Sequence, residues 1–300
     1  MLHDDFPRTI PQQVAQLTRL GLQGSPEDIA CRLRAVSYYR LSSYWHPYLN
    51  NDGAFKDATS IDDIWNRYMF DRELRLLLLD AIERIEVCMR TTIAHRHATH
   101  FGPFSYANDI NSLQETAGRV TRTQWHERVH HEVRQNREIL LTRTRDRNGD
   151  THTAPPVWVA AEVMSMGTIV SFFNLCHKWM RKEIADDFDT SERVFSTWML
   201  ALHAGRNIAA HHGRLWNREL GIKPLIPFTK SQPLWHDPFT ISNNRVFALL
   251  SIAQYCLAFI EPQCGWKRRV VNLLQEYPQI PPRAMGMPTD WRRHAIWRDT

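Results

Sequence analysis

Three features of the 300-residue sequence predict an all-α protein, a multi-helix bundle built round one long central helix. Helix-start signatures recur along the chain, and the longest apolar pattern repeats at intervals of three and four. No stretch alternates apolar and polar residues in the manner of a strand. With 43% hydrophobic residues, 11 Trp and 13 Phe, the chain has ample material for a packed core.

The first strong signature is Ser25-Pro26-Glu27-Asp28, an N-cap followed by a proline and two acids in the first turn. It predicts a helix running to about Tyr38. Ser37 to Leu49, rich in aromatics and closed by Pro47, reads as an irregular segment packed on the core. Ser60 then caps the long helix, with Asp62 and Asp63 in its first turn. Ile61, Ile64, Trp65, Tyr68, Leu76, Leu79, Ile82, Ile85, Met89 and Ile93 mark its apolar stripe as far as about Thr99. Residues 112–147 read as a second helical region, polar and basic. Pro155-Pro156 opens a third, PVWVAAEVMSMGTIVSFFNL, apolar enough to be buried. Thr190 or Ser191 caps a further helix that carries Trp198, Met199, Leu202 and GRNIAAHHGR. Beyond a connection punctuated by Pro224, Pro227, Pro233 and Pro238, two more helices are expected at about 243–261 and 266–277, then a loop-like tail from Pro281. As domains, residues 1–55 are expected to form an N-terminal helical segment packed on a helical domain of residues 56–300, with a single structural unit as the alternative.

Charge narrows the partners. The net charge is +5, and 31 of the 37 basic residues are Arg. The guanidinium is a planar fork that matches phosphate and stacks on bases; a genomic bias toward Arg codons accounts for the same composition equally well. Within the second helical region Arg119, Arg122, Arg128, Arg134, Arg137, Arg143 and Arg145 are candidate RNA-binding residues. The five cysteines are scattered, with no CxxC pair, so reduced thiols in a cytoplasmic protein are expected. The opening MLHDDFPRTIPQQ does not read as a signal peptide, and no apolar run approaches the ~20 residues that span a bilayer.

The chemical candidate is Arg206-Asn207-Ile208-Ala209-Ala210-His211. The Arg-to-His spacing recurs elsewhere in this Arg- and His-rich chain, so spacing alone decides nothing. On a helix, Asn207 and His211 lie ~40° apart on one face. An Asn one turn before a His can hydrogen-bond it and set its tautomer, and Arg206 can clamp a phosphate. His as general acid or base and Arg on the developing phosphorane charge suit RNA transesterification, in which the RNA's own 2′-hydroxyl attacks. No metal or other cofactor is called for. A polar helix end whose Arg206 and His211 merely pair with acids or carbonyls is the competing interpretation.

The chain as a whole resembles the Abi-like (abortive-infection) family of bacterial phage-defence proteins. The blocks that carry the likeness stand in order: AVSYYRLSSYWHPYL at 35–49, FDRELRLLLLDAIERIEVCMRTTIAHRHATHFGP at 70–103, PPVWVAAEVMSMGTIVSFF at 155–173, RNIAAHHGRLWNREL at 206–220, and Trp266 with MGMPTDW at 285–291. That resemblance implies the HEPN superfamily, helical bundles in which an Arg-polar-x-x-x-His motif marks metal-independent ribonucleases. It implies Arg206, Asn207 and His211 as the catalytic residues, and a homodimer in which two motifs share one cleft. RNA is the implied substrate, and a structured noncoding RNA, as antitoxin or guide, an implied partner; no membrane is involved. The basic stretch 112–147 matches no block of the family.

Other residues near the motif carry two interpretations each. Glu162, in an apolar helix, is expected either to orient Arg206 or to pair elsewhere in the core. His212, Arg214, Trp216 and Asn217 follow the motif and either hold phosphate and stack a base or cap the helix end. Arg90, His95 and His97 are expected to support structure rather than form a second motif. His126, His130 and His131 read as a surface that faces nucleic acid rather than as metal ligands. Two functions follow: an endoribonuclease of phage defence or of a toxin–antitoxin pair, or a non-catalytic RNA-binding or regulatory module.

Overall fold

The computed structural model describes residues 8–115, 120–136 and 154–298. The chain divides into two compact units, one of Met1–Arg75 and Val270–Pro281, the other of Leu76–Arg269 and Pro282–Thr300. Among the described residues there is no β-strand, only two isolated bridges, and the fold class is all-α.

In the first unit, α1 (Ile10–Arg19), α2 (Pro26–Val36), α3 (Tyr38–Trp45) and the first turns of α4 (Ile61–Phe101) surround Leu17, Ile29, Leu33, Leu41, Tyr44, Trp45 and Ile64. Ser25 caps α2 by accepting from the Asp28 N–H at 3.0 Å, as its sequence predicts. The segment expected to be irregular is instead helical. Leu41, Tyr44 and Trp45 sit at helical spacing and are all buried, so one face of α3 is core. Pro47 then falls in a 3-10 turn, His46–Tyr48, which ends the helix. The Tyr44 hydroxyl donates to Asp71 at 2.7 Å, and Asp71 pairs with Arg75 one turn on; both charges are buried, so the pair satisfies groups that water cannot reach.

Ser60 starts α4: its hydroxyl accepts from the Asp63 N–H at 3.2 Å, and the Asp63 carboxylate accepts in return from the Ser60 N–H at 2.9 Å. The 41-residue helix contributes to both units. In the second unit Ile82, Ile85, Met89 and Ile93 keep to the expected stripe, but Leu78 is buried in place of Leu76, which is exposed, because the buried face runs through Leu74, Leu78 and Ile82 at a spacing of four. No helix among the described residues is long and apolar enough to cross a membrane.

The second unit continues with α5 (Ser105–Asn108), α6 (Arg122–Gln135), α7 (Val157–Val163), α8 (Met166–Leu175), α9 (Lys178–Asp186), α10 (Glu192–Ala210), α11 (Val246–Ile260) and α12 (Trp266–Glu276), the last reaching into the first unit. The apolar region after Pro156 is broken into α7 and α8. Met164 turns extended, and Ser165 becomes a new N-cap whose hydroxyl accepts from the Thr168 N–H at 3.3 Å. Glu132 of α6 seals that break, accepting from the Ser165 N–H at 3.2 Å and the Thr168 hydroxyl at 3.0 Å. The tail beyond Pro281, expected to be loop-like, makes two 3-10 turns and buries Met285, Trp291 and Trp297. The Trp297 indole N–H donates to the Ser251 hydroxyl of α11 at 2.8 Å. Large apolar side chains anchor a segment that lacks any helical repeat.

Candidate functional site

Helix α10 carries the motif. Ser191 caps it as predicted, and Val194, Phe195, Trp198, Ala201, Leu202, Gly205 and Ala209 form its buried stripe. The opposite side bears His203, Arg206 and Asn207, all half-buried, and leads to His211, which is exposed. The Arg206 guanidinium donates to the Asn207 amide oxygen at 3.4 Å. The Asn207 amide nitrogen lies 3.1 Å from Nε2 of His203, one turn earlier. Asn207 therefore orients His203, not His211 as its position one turn before His211 suggested. His203 is the better-fixed partner: it is half-buried, whereas His211 stands at the helix terminus in solvent.

Burial pushes the His203 pKa below its ordinary value, and the charge of Arg206 adds to this, while Glu86 of α4 opposes it. Glu86 is itself bonded to Arg90 at 2.7 Å, and Arg90 donates onward to the carbonyl oxygens of Ala161 and Met164 at the end of α7. Arg90 thus fastens α4 to the α7–α8 break, the structural role expected of it. His97 is likewise structural, wholly buried beside Phe101 and Phe172.

The helix ends in a Schellman motif. His211 is the C-cap, the His212 N–H donates to the Ala209 carbonyl at 3.0 Å, and the Gly213 N–H to that of Ile208 at 2.7 Å. His212 takes the left-handed conformation, φ 58°, that such a turn demands. The chain turns away directly after His211, which leaves this imidazole open to solvent at the carbonyl end of α10.

The remaining candidates separate. Glu162 is exposed at the end of α7, so water solvates it; it is no buried carboxylate in need of Arg206, which donates to Asn207 instead. Trp216 is 1% exposed and belongs to the core, so it offers no face to a base. Asn217, at φ 50°, accepts from Arg245 at 3.0 Å and so fixes the chain after the motif. Arg214 is half-buried. Arg122 is spent locally, donating to the carbonyls of Ile110 at 2.6 Å and Leu113 at 3.3 Å. Arg128 and Arg134 are exposed on α6. Arg119, Arg137, Arg143 and Arg145 lie outside the described residues. His126 is half-buried on α6, while His130 and His131 are exposed. Among the described residues no three His, Cys, Asp or Glu side chains gather as metal ligands would.

The residue missed from the sequence is His203. Its spacing of four before Asn207 was the available signal, but which of the two neighbouring histidines Asn207 would choose depends on what packs over the helix.

The sequence model of a family described as Abi-like protein matches residues 32–217, more than half of the chain and the whole of the motif. No curated protein and no solved structure matches it.

Proposed function

The chain belongs to the Abi-like protein family, and from that premise we propose that it is an endoribonuclease of phage defence or of a toxin–antitoxin pair. In this reading it is a HEPN-type enzyme that cuts RNA through the RNA's own 2′-hydroxyl. The observation that carries the reading is the polar end of α10: an exposed imidazole at 211 and, on the preceding turns, a guanidinium at 206 held by Asn207.

The chemistry follows from those groups. His211 withdraws the proton from the 2′-hydroxyl, and the 2′-oxygen attacks the adjoining phosphorus. Arg206 stabilises the charge that builds on the phosphorane oxygens. The bond to the 5′-oxygen breaks, that oxygen takes up a proton, and a 2′,3′-cyclic phosphate and a 5′-hydroxyl remain. DNA lacks the attacking group and is not a substrate. A second copy of the chain is the expected source of the opposing catalytic groups, and the exposed Arg128 and Arg134 are the described residues available to phosphates on α6.

Cleavage of RNA by the purified full-length chain in EDTA, with analysis of product ends, tests the reading. Cyclic-phosphate ends from the wild type, and none from a folded His211→Ala variant, are expected. Equal cutting by the two removes the assignment of His211. Salt-sensitive binding without any cutting replaces the enzyme with an RNA-binding module.

A further inference from the structure

The hydrogen bonds around Asn207 have a polarity that can be deduced. A guanidinium only donates, so the amide oxygen of Asn207 must be the atom that faces Arg206, at 3.4 Å. The amide nitrogen is left for His203, 3.1 Å away, and since it too only donates, Nε2 of His203 must present a lone pair. The ring is therefore neutral and carries its proton on Nδ1. Its place is set from across the helix pair. A Cβ at Gly167, the second residue of α8, would lie 3.1 Å from Cε1 and 3.2 Å from Nε2 of His203, so the ring packs closely on this backbone and a side chain there would push it by a few tenths of an ångström.

We propose that His203 is a positioning residue: as a neutral acceptor it holds the Asn207 amide with its oxygen toward Arg206, and so aims the phosphate clamp. This inference deepens the ribonuclease reading and rests on it for its catalytic consequence. A proton on Nε2 turns the ring into a donor. The amide must then rotate to offer its oxygen to His203, and its NH2 group faces the guanidinium, donor against donor. Arg206 loses its anchor.

The charged groups acting on the ring are Arg206 on its own helix and Glu86 from α4; Gly167 of α8, which lies against the ring, brings no charge. Burial, reinforced by Arg206, keeps the ring neutral to lower pH than a free histidine. The clamp is thus held in place at neutral pH and released on acidification.

The test compares the full-length wild type with His203→Gln, which keeps an acceptor and cannot titrate, and His203→Leu, which has none. Single-turnover cleavage is followed against pH, thermal melts confirm folding, and the His203 ring nitrogens are read by 15N NMR. The Leu variant is expected to lose about 10²-fold in cleavage rate with little change in RNA affinity. The Gln variant should cut roughly tenfold faster than the Leu variant and fall less on acidification than the wild type does. Equal rates for folded Gln and Leu variants overturn the proposal, as does an Nε2 that carries a proton at neutral pH. A wild type that cuts no RNA sinks the ribonuclease reading instead. The ring nitrogens then decide the inference alone: an unprotonated Nε2 bonded to the Asn207 amide sustains it, and a protonated one ends it.

Discussion

The backbone N–H of Gly213 donates to the carbonyl of Ile208 at 2.7 Å, closing the turn that leaves His211 at the end of its helix. A Cβ at Gly213 would meet that carbonyl oxygen at 3.0 Å and the Ile208 Cγ2 at 3.1 Å. The first of these is backbone and cannot swing aside. The placement of the imidazole therefore depends on a residue with no side chain, two positions further on.

Gly213→Ala is expected to lower stability by roughly 1 kcal/mol or more, because the turn must open to admit the methyl group. His212→Gly should act the other way, raising stability by about 0.5–1 kcal/mol, since glycine takes a left-handed φ without strain. Urea melts of the two variants give both signs. A glycine at 212 that weakens the fold would mean the His212 side chain contributes more than its backbone costs.

His97 makes folding sensitive to acid. Its ring is fully buried, lies near the Ser112 backbone outside hydrogen-bonding geometry, and finds no partner for either nitrogen among the described residues. Burial pushes its pKa from 6.5 down to about 4. As pH falls, the unfolded chain takes up the proton first, so this share of stability is intact above about 6.5 and drains away toward 4. At ~1.4 kcal/mol per pH unit the loss amounts to about 3 kcal/mol. The variant His97→Leu should show a correspondingly flatter stability profile across that interval. Parallel profiles for the two proteins would contradict this account of the ring.

The arginines of α6 should not behave alike. Arg122 ties the helix start to two backbone carbonyls, and Arg122→Ala is expected to cost about 1–2 kcal/mol of stability. Arg128 and Arg134 are exposed. Their alanine variants should melt as the wild type does. If RNA lies on this face, each should also reduce the slope of log affinity against log salt by about 0.7, the value for a single strand. Unchanged slopes in both variants would take α6 out of the RNA interface.

Much of the fold was legible because the signals were local. Ser25, Ser60 and Ser191 start helices by bonding their own next turn, and the apolar stripe of α4 repeats every three or four residues whatever packs against it. Segments whose structure comes from burial carry no such local signal: 37–49 reads as irregular although Leu41, Tyr44 and Trp45 make a helical core face, and the tail beyond Pro281 reads as loop although Trp291 and Trp297 anchor it. The division of 157–175 into two helices was hidden too, since the carboxylate that helps seal the break, Glu132, is some thirty residues away.

The same contrast runs through the candidate site. Sequence alone determined that Arg206, Asn207 and His211 share one helix near its end, because helical phase follows from spacing. Tertiary structure decided their partners. Gly167 from another helix seats His203 where it takes the amide of Asn207, core packing removes Trp216 from the surface, and exposure at the end of α7 relieves Glu162 of any need for Arg206. A hydrogen bond goes to whichever group is held still and shielded from water, and that is set by neighbours far away in the chain.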